Sequence, residues 1–161
     1  MKIGVISDTH GLFREELYDI LNYVDRIIHL GDIGSEEIME KLNKIAPTDF
    51  ILGNIDDNIS DVPKIKVINL DDIKVHMIHN IKELDERKLE GDTRIIAYGH
   101  SHKPNLEEKE GIIYLNPGSL GRRRFKLPIT YGIIIIDENI SIKIYDFFNG
   151  DILYDETYSS L

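Results

Sequence analysis

The segment Gly99-His100-Ser101-His102 sets two imidazoles one residue apart, directly after the apolar run Arg94-Ile95-Ile96-Ala97-Tyr98. Near the N-terminus, Asp8-Thr9-His10 places a carboxylate and an imidazole at the same spacing after Lys2-Ile3-Gly4-Val5-Ile6-Ser7. Side chains two apart in an extended segment point the same way, so each pair is expected to face one cavity. Three more apolar runs end in donors of the same kind: Asp32 after Gly31, Asn54 after Gly53, and His79 after His76-Met77-Ile78. The set Asp8, His10, Asp32, Asn54, His79, His100 and His102 offers nitrogen and oxygen. It offers no sulfur, because the chain has no cysteine. Such donors suit Mn, Fe, Co, Ni or Zn better than Mg or Ca, which favour all-oxygen shells. The set is too large for one ion with an open position and fits two ions sharing a bridging carboxylate.

Each signal taken alone has a plainer reading. Asp8-Thr9-His10 reads as a turn or helix cap, Gly53-Asn54 as a turn and Gly99-His100 as a capped strand end. Together they argue for a metal centre, because chance would scatter such residues over loops at both ends of a sheet. His29, inside an apolar run, reads as a packed, hydrogen-bonded residue. His76 is out of phase with His79 and reads as structural.

The elements that must carry these donors follow from periodicity. Apolar runs at 2–7, 26–30 and 49–53 read as buried strands; they alternate with helical patterns over 13–24 and 35–46, the latter with Ser35 as N-cap and Glu36 and Glu37 at its positive end. That alternation predicts a parallel sheet with ligands at the C-terminal rim of its strands. Beyond residue 65 the character changes. A hairpin turns at Asp71-Asp72, a short helix is expected over 82–90, and strands at 94–99, 111–116, 131–137 and 140–148 follow with short turns, which suggests antiparallel pairing. Two packed sheets with helices outside, in one α/β domain spanning 1–161, is the expected architecture. Glycines at 11, 31, 53 and 99 are expected to allow sharp turns and close backbone approach beside the donors.

Composition narrows the function. The chain has 161 residues, 42% apolar and 30% charged, which suits one ordinary globular core. A formal net charge of -10 disfavours broad nucleic-acid binding, which relies on neutralising phosphates with Lys and Arg. The N-terminal apolar stretch is too short for a signal-peptide core and no run is long enough to span a membrane, which predicts a cytoplasmic protein. Absent Gln and Cys with abundant Ile, Lys and Glu is a composition found in heat-adapted proteins.

The ordered set Asp8-x-His10, Gly31-Asp32, Gly53-Asn54-x-Asp56, His79 and Gly99-His100-Ser101-His102 resembles the calcineurin-like metallophosphoesterase superfamily. With the compact size and Asn116-Pro117-Gly118-Ser119, it resembles the small YfcE-like phosphodiesterase branch. The resemblance implies a two-sheet α/β sandwich flanked by helices and a dinuclear centre of divalent transition metals, Mn or Ni favoured, with Fe, Co or Zn as alternatives. It assigns Asp8, His10 and His102 to one ion, Asn54, His79 and His100 to the other, and Asp32 as the bridge, with Asp32 and Asn54 acting in catalysis through the metals. Asp56 fits the motif acid and reads as a supporting partner.

Two positions depart from the pattern. The residue after the motif Asn, often a His that protonates the leaving group, is Ile55, and His79 is followed by Asn80 where glycine is common. Two ions about 3.5–4 Å apart polarise phosphoryl oxygens and activate a shared water. Without the acid, whose contribution is typically about 10²- to 10⁴-fold, aryl or otherwise activated phosphodiesters are the expected substrates. The run Arg122-Arg123-Arg124 with Lys126 reads as a solvated loop in which one arginine, such as Arg122, holds a substrate phosphate. The expected partner is therefore a small phosphodiester, with no membrane and with nucleic acid unlikely on charge grounds; apolar edge strands near the C-terminus are compatible with a homodimer. The competing functions are a protein-binding scaffold, as in the retromer subunit of this superfamily, and a nuclease. The complete donor set opposes the first, and the short acidic chain opposes the second.

Overall fold

The computed structural model describes residues 1–160. Eleven strands form two sheets. The first sheet holds β1 (Lys2–Ile6), β2 (Arg26–His29), β3 (Thr48–Phe50), β9 (Thr130–Ile136), β10 (Asn139–Asp146) and β11 (Ile152–Ser159), in the order β11-β10-β9-β1-β2-β3. The second holds β4 (Ile65–Leu70), β5 (Ile73–Ile78), β6 (Thr93–Ala97), β7 (Asn105–Lys109) and β8 (Ile112–Asn116), in the order β4-β5-β6-β8-β7. Strands β1, β2 and β3 run parallel, as do β5, β6 and β8. The remaining pairs are antiparallel. The expectation of antiparallel pairing after residue 65 therefore holds for the hairpins and fails at β5-β6 and β6-β8, where the segments between the paired strands carry the chain back to start again from the same end.

Strand alternation builds the layers. Ile3 and Val5 of β1 face the second sheet and join Val75, Met77, Ile95, Ala97, Ile113 and Leu115 in the core between the sheets. Ile6 and Ile27 face the other way, against α1 (Leu17–Ile20) and α2 (Glu36–Ile45), and pack with Leu17, Leu21, Ile38 and Leu42. On the far side, Ile78, Ile96 and Tyr98 are covered by Ile81, Leu84 and Leu89.

Several local expectations change. The helix expected over 13–24 contracts to the four residues of α1, and the flanking residues form tight turns, with Leu17 N–H donating to Arg14 O and Asn22 N–H to Asp19 O. Apolar spacing set the buried face there, since Leu17, Leu21 and Val24 are all buried, but not the winding. Ser35 does sit at the N-cap of α2 in extended conformation, although its hydroxyl makes no capping bond. The helix expected over 82–90 becomes two 3₁₀ turns, Ile81–Glu83 and Glu86–Lys88, capped by Asn80 and Asp85, whose side chains accept the N–H groups of Lys82 and Arg87. Strands β7 and β11 were not expected. No helix among the described residues is long and apolar enough to cross a membrane.

Candidate metal centre

The C-terminal ends of β1, β2, β3, β5 and β6 deliver the donors to one rim, and the loops go on bonding past the strands. Asp8 N–H donates to Gly31 O at 3.0 Å, His10 N–H to Asp32 O at 2.9 Å and Gly99 N–H to His79 O at 3.0 Å. Two groups of potential donors result: Asp8, His10 and His102 in one, Asp32, His79 and His100 in the other, each with its donor atoms within 4.8 Å of one another. His10 Nε2 lies 3.2 Å from His102 Nε2, and the His79 and His100 rings stand edge to face with centroids 5.2 Å apart. Asn54 is exposed and lines the same cavity as His79.

The pairing read from the sequence holds for Asp8 and His10, which share one group, and fails for His100 and His102, and neither pair is extended. Asp8, His10, Asp32, His100 and His102 have φ of 57°, 48°, 55°, 70° and 61°, in the left-handed region rather than extended. The backbone thus turns at each donor, and His100 and His102 part to different groups. Non-glycine residues in this region are uncommon and cost about 1–3 kcal/mol each when strained, and such strain tends to gather at functional sites. Five of the nine among the described residues are candidate donors. Close approach also explains two glycines: a Cβ on Gly53 would lie 2.1 Å from Asp32 Oδ1, and one on Gly99 2.1 Å from Ser7 Oγ.

Each buried carboxylate divides its oxygens between protein and cavity. Asp8 Oδ2 accepts from Ser7 Oγ at 2.6 Å and from His100 N–H at 3.1 Å. Its Oδ1 is buried without a hydrogen-bond partner and faces His102 Nε2 at 3.4 Å. Asp32 Oδ1 accepts Ile55 N–H at 3.2 Å, while Oδ2 stands 3.5 Å from His10 Nε2 and 3.4 Å from His79 Nε2, one histidine of each group. His79 Nδ1 donates to Leu30 O at 2.6 Å, which leaves Nε2 without a proton when the ring is neutral; that nitrogen is buried and has no hydrogen-bond partner.

A buried polar atom without a partner is costly, and two such atoms aimed at one pocket fit a cation there. The electrostatics agree. Burial pushes the Asp8 carboxyl up, but His10, His102, Ser7 and His79 outweigh it and hold it well below the usual carboxylate range. Burial likewise opposes ionisation of Asp32, and the bond to His79 and its charge win. His79 is raised: burial disfavours its charge, while Asp32, Asp8 and the Leu30 carbonyl favour it. The two carboxylates thus favour positive charge at His79.

The supporting residues are accounted for. Asp56, 1% exposed, reaches neither donor group. Its Oδ2 accepts Ile33 N–H at 3.1 Å and Gly53 N–H at 2.8 Å, and its Oδ1 accepts Gly34 N–H at 3.0 Å, which clamps the Asp32 loop to the Asn54 loop. Thr9 Oγ1 donates its only proton to Ile33 O, so His29 must donate from Nε2 to Thr9 and accept Gly31 N–H at Nδ1. Both ring nitrogens are thus engaged, and burial lowers the pKa to about 4. His76 is buried on the far face of the second sheet, in neither group. Asn116 Nδ2 donates to Gly99 O and Ser101 Oγ, and Ser119 Oγ donates to Asp8 O, so the Asn116–Ser119 turn braces both donor loops. Arg122 lines a cavity with His10 and Arg124. Sequence reasoning missed Ser7, whose only signal was adjacency to Asp8, and Arg14, which donates to Leu120 O at 2.9 Å and Gly121 O at 2.7 Å.

Two stacked sheets with carboxylate and imidazole donors converging at the strand ends define a metallohydrolase-like α/β protein. The chain belongs to the calcineurin-like phosphoesterase superfamily, whose domain model matches residues 1–139. It is 31% identical over 157 residues to a probable metallophosphoesterase of Methanothermobacter thermautotrophicus, covering 89% of this chain and 91% of that protein. It is 27% identical over 139 residues to a phosphodiesterase of Methanocaldococcus jannaschii, covering 73% and 83%. Among solved structures, vacuolar protein sorting 29 from Cryptosporidium parvum superposes with a TM-score of 0.82 at 21% identity, covering 98% and 97%. The phosphoesterase Yfce from E. coli superposes with a TM-score of 0.75 at 21% identity, covering 97% and 98%.

Proposed function

We propose that the chain is a metal-dependent phosphodiesterase acting on small diesters with aryl or otherwise activated leaving groups. Asp8, His10 and His102 would hold one divalent transition metal, Asn54, His79 and His100 a second, and Asp32 would be shared. The observation that carries this reading is the position of Asp32 Oδ2, 3.5 Å from His10 Nε2 and 3.4 Å from His79 Nε2. Nitrogen and oxygen donors without sulfur suit Mn, Fe, Co, Ni or Zn, and the family resemblance favours Mn or Ni among them. Ions of this class polarise phosphoryl oxygens and lower the pKa of bound water toward about 7.

The chain's own residues supply orientation. Ser7 and the His100 N–H turn Asp8 Oδ1 into the cavity. The Leu30 carbonyl holds His79 in the tautomer that presents Nε2, an arrangement that typically raises metal affinity 10- to 100-fold. Ile55, 47% exposed at the rim, carries no proton for a departing alkoxide. Its place supports a preference for leaving groups that depart as stable anions, and the relative named a phosphodiesterase supports diesters. The likeness to vacuolar protein sorting 29 supports a second reading, a protein-binding scaffold, and the relative named a phosphodiesterase favours the first.

The deciding experiment strips the protein of metal, restores Mn or Ni, and compares bis(p-nitrophenyl) phosphate with p-nitrophenyl phosphate. Metal uptake and diester turnover returning together, with the monoester slower, is the expected result. A protein that takes up no metal, or one that is loaded yet inert on every phosphoester, overturns the phosphodiesterase reading.

A further inference from the structure

Next to the first donor group lies a patch of opposite charge to the rest of the molecule. The chain carries a formal net charge of -10, yet Arg122, Arg123, Arg124 and Lys126 are all exposed, and among the described residues none of them has an ion-pair partner. Arg122 and Arg124 share one cavity with His10. The root of this loop is firmly seated. Leu120 N–H donates to Ser7 O at 3.1 Å, and Ser119 Oγ accepts Gly121 N–H at 3.1 Å while donating to Asp8 O at 3.1 Å. Arg14 holds the carbonyls of Leu120 and Gly121. At the far end Leu127 N–H closes back onto Arg124 O at 3.2 Å.

Between these anchors Phe125 adopts φ 55° and is 94% exposed. A left-handed conformation at an aromatic residue is strained, and here it leaves a ring in solvent on the residue that follows Arg124. Planar guanidinium forks match phosphate oxygens, and an exposed aromatic face stacks on a planar ring.

We propose that Arg122 and Arg124 form a second anion subsite with Phe125 as its stacking platform, so that the preferred substrate is a small phosphodiester bearing a further phosphate and a planar ring. The proposal rests on the phosphodiesterase reading and adds the substrate class. The scissile phosphate belongs with the donors around Asp32, and because His10 also lines the arginine cavity, we assign that cavity to a second phosphate of the same small molecule. A long polyanion is disfavoured by the remaining negative charge.

The test compares the p-nitrophenyl ester of thymidine 5′-phosphate with the same ester carrying a 3′-phosphate, since both release the same phenol. The metal-loaded enzyme is expected to favour the second about ten-fold in kcat/KM, through KM. In Arg122→Gln/Arg124→Gln that advantage falls below about two-fold. In Lys44→Gln/Lys88→Gln, the same charge change at exposed positions elsewhere, it persists. Calorimetry with thymidine 3′,5′-bisphosphate against thymidine 5′-phosphate reads the subsite without turnover, and Phe125→Ala should weaken both ligands about ten-fold. Equal affinities and equal rates on the two esters, with hydrolysis intact, overturn the subsite and leave the phosphodiesterase standing. Tight bisphosphate binding without hydrolysis of any ester upholds the anion subsite and removes the phosphodiesterase. Preference for a long single-stranded DNA over the bisphosphorylated ester overturns the assignment to a small substrate.

Discussion

His100 donates its backbone N–H to Asp8 Oδ2 at 3.1 Å, joining residues 92 apart in the chain. That bond fixes which oxygen of Asp8 serves the protein and which faces the cavity. It exists because Gly99 lets the two loops touch: a Cβ there would lie 2.1 Å from Ser7 Oγ and 2.7 Å from Asp8 Oδ2. Gly99→Ala should therefore leave the fold in place while turning Asp8 away from its partners, lowering metal affinity and turnover by at least about 100-fold. Calorimetric metal titration beside far-ultraviolet circular dichroism checks this. Native-like affinity in the variant would show that the close approach is dispensable.

Asp56 offers a way to disturb the site without touching a donor. Removing its carboxylate leaves the N–H groups of Ile33, Gly34 and Gly53 without their partner. Orphaned buried donors cost about 1–3 kcal/mol each, with water recovering part of it. Asp56→Ala is expected to lose about 3 kcal/mol in urea unfolding, and to bind metal about 10-fold more weakly because the Asp32 and Asn54 loops are no longer clamped. An unchanged unfolding midpoint would contradict the clamp.

His29 makes metal-free stability depend on pH. Its folded pKa is lowered to about 4, by burial first, from an ordinary 6.5. Between those values the unfolded chain binds the extra proton, so the stabilisation is complete above about pH 6.5 and drains as pH falls toward 4. The shift corresponds to roughly 3 kcal/mol. His76, also lowered by burial, adds to the same trend. Urea unfolding of metal-free protein from pH 7 to 4 should show a shallower decline for His29→Gln than for the native chain. Parallel slopes would assign the decline to other groups.

The donor rim was legible in the sequence because buried parallel strands leave long apolar runs, and each run here ends in a donor, beside a glycine in every case but His79. What escaped notice did so for physical reasons. β11 exposes most of its side chains at a sheet edge, and β7 also lies at an edge, so neither needs an apolar alternation to pair. The region around α1 keeps a helical pattern of buried residues while the backbone tightens into turns, because spacing reports the covered face and not the hydrogen-bond register. Separation of His100 from His102 depends on left-handed backbone at both, which histidine does not signal. Arg14 acts on carbonyls and on the Phe147 and Phe148 rings, all more than a hundred residues away, and no local motif encodes such contacts.

Ile55 gives the sharpest test of mechanism, because there a gain of function is expected. Its N–H holds Asp32 Oδ1 at 3.2 Å, and its side chain is 47% exposed. The backbone contact survives any substitution other than proline, and the exposed side chain can be exchanged at little cost to packing. An imidazole at this position would stand at the rim beside Asn54. General-acid assistance is worth about 10²- to 10⁴-fold when well placed, and it matters most for poor leaving groups. Ile55→His should therefore raise turnover of an alkyl phosphoester by about 10-fold or more, with little change for bis(p-nitrophenyl) phosphate, whose phenolate leaves unaided. The alkyl rate should also acquire a falling limb above about pH 6.5 as the imidazole loses its proton. If the alkyl-to-aryl ratio stays at the native value while metal content is unchanged, the leaving-group preference arises elsewhere in the site.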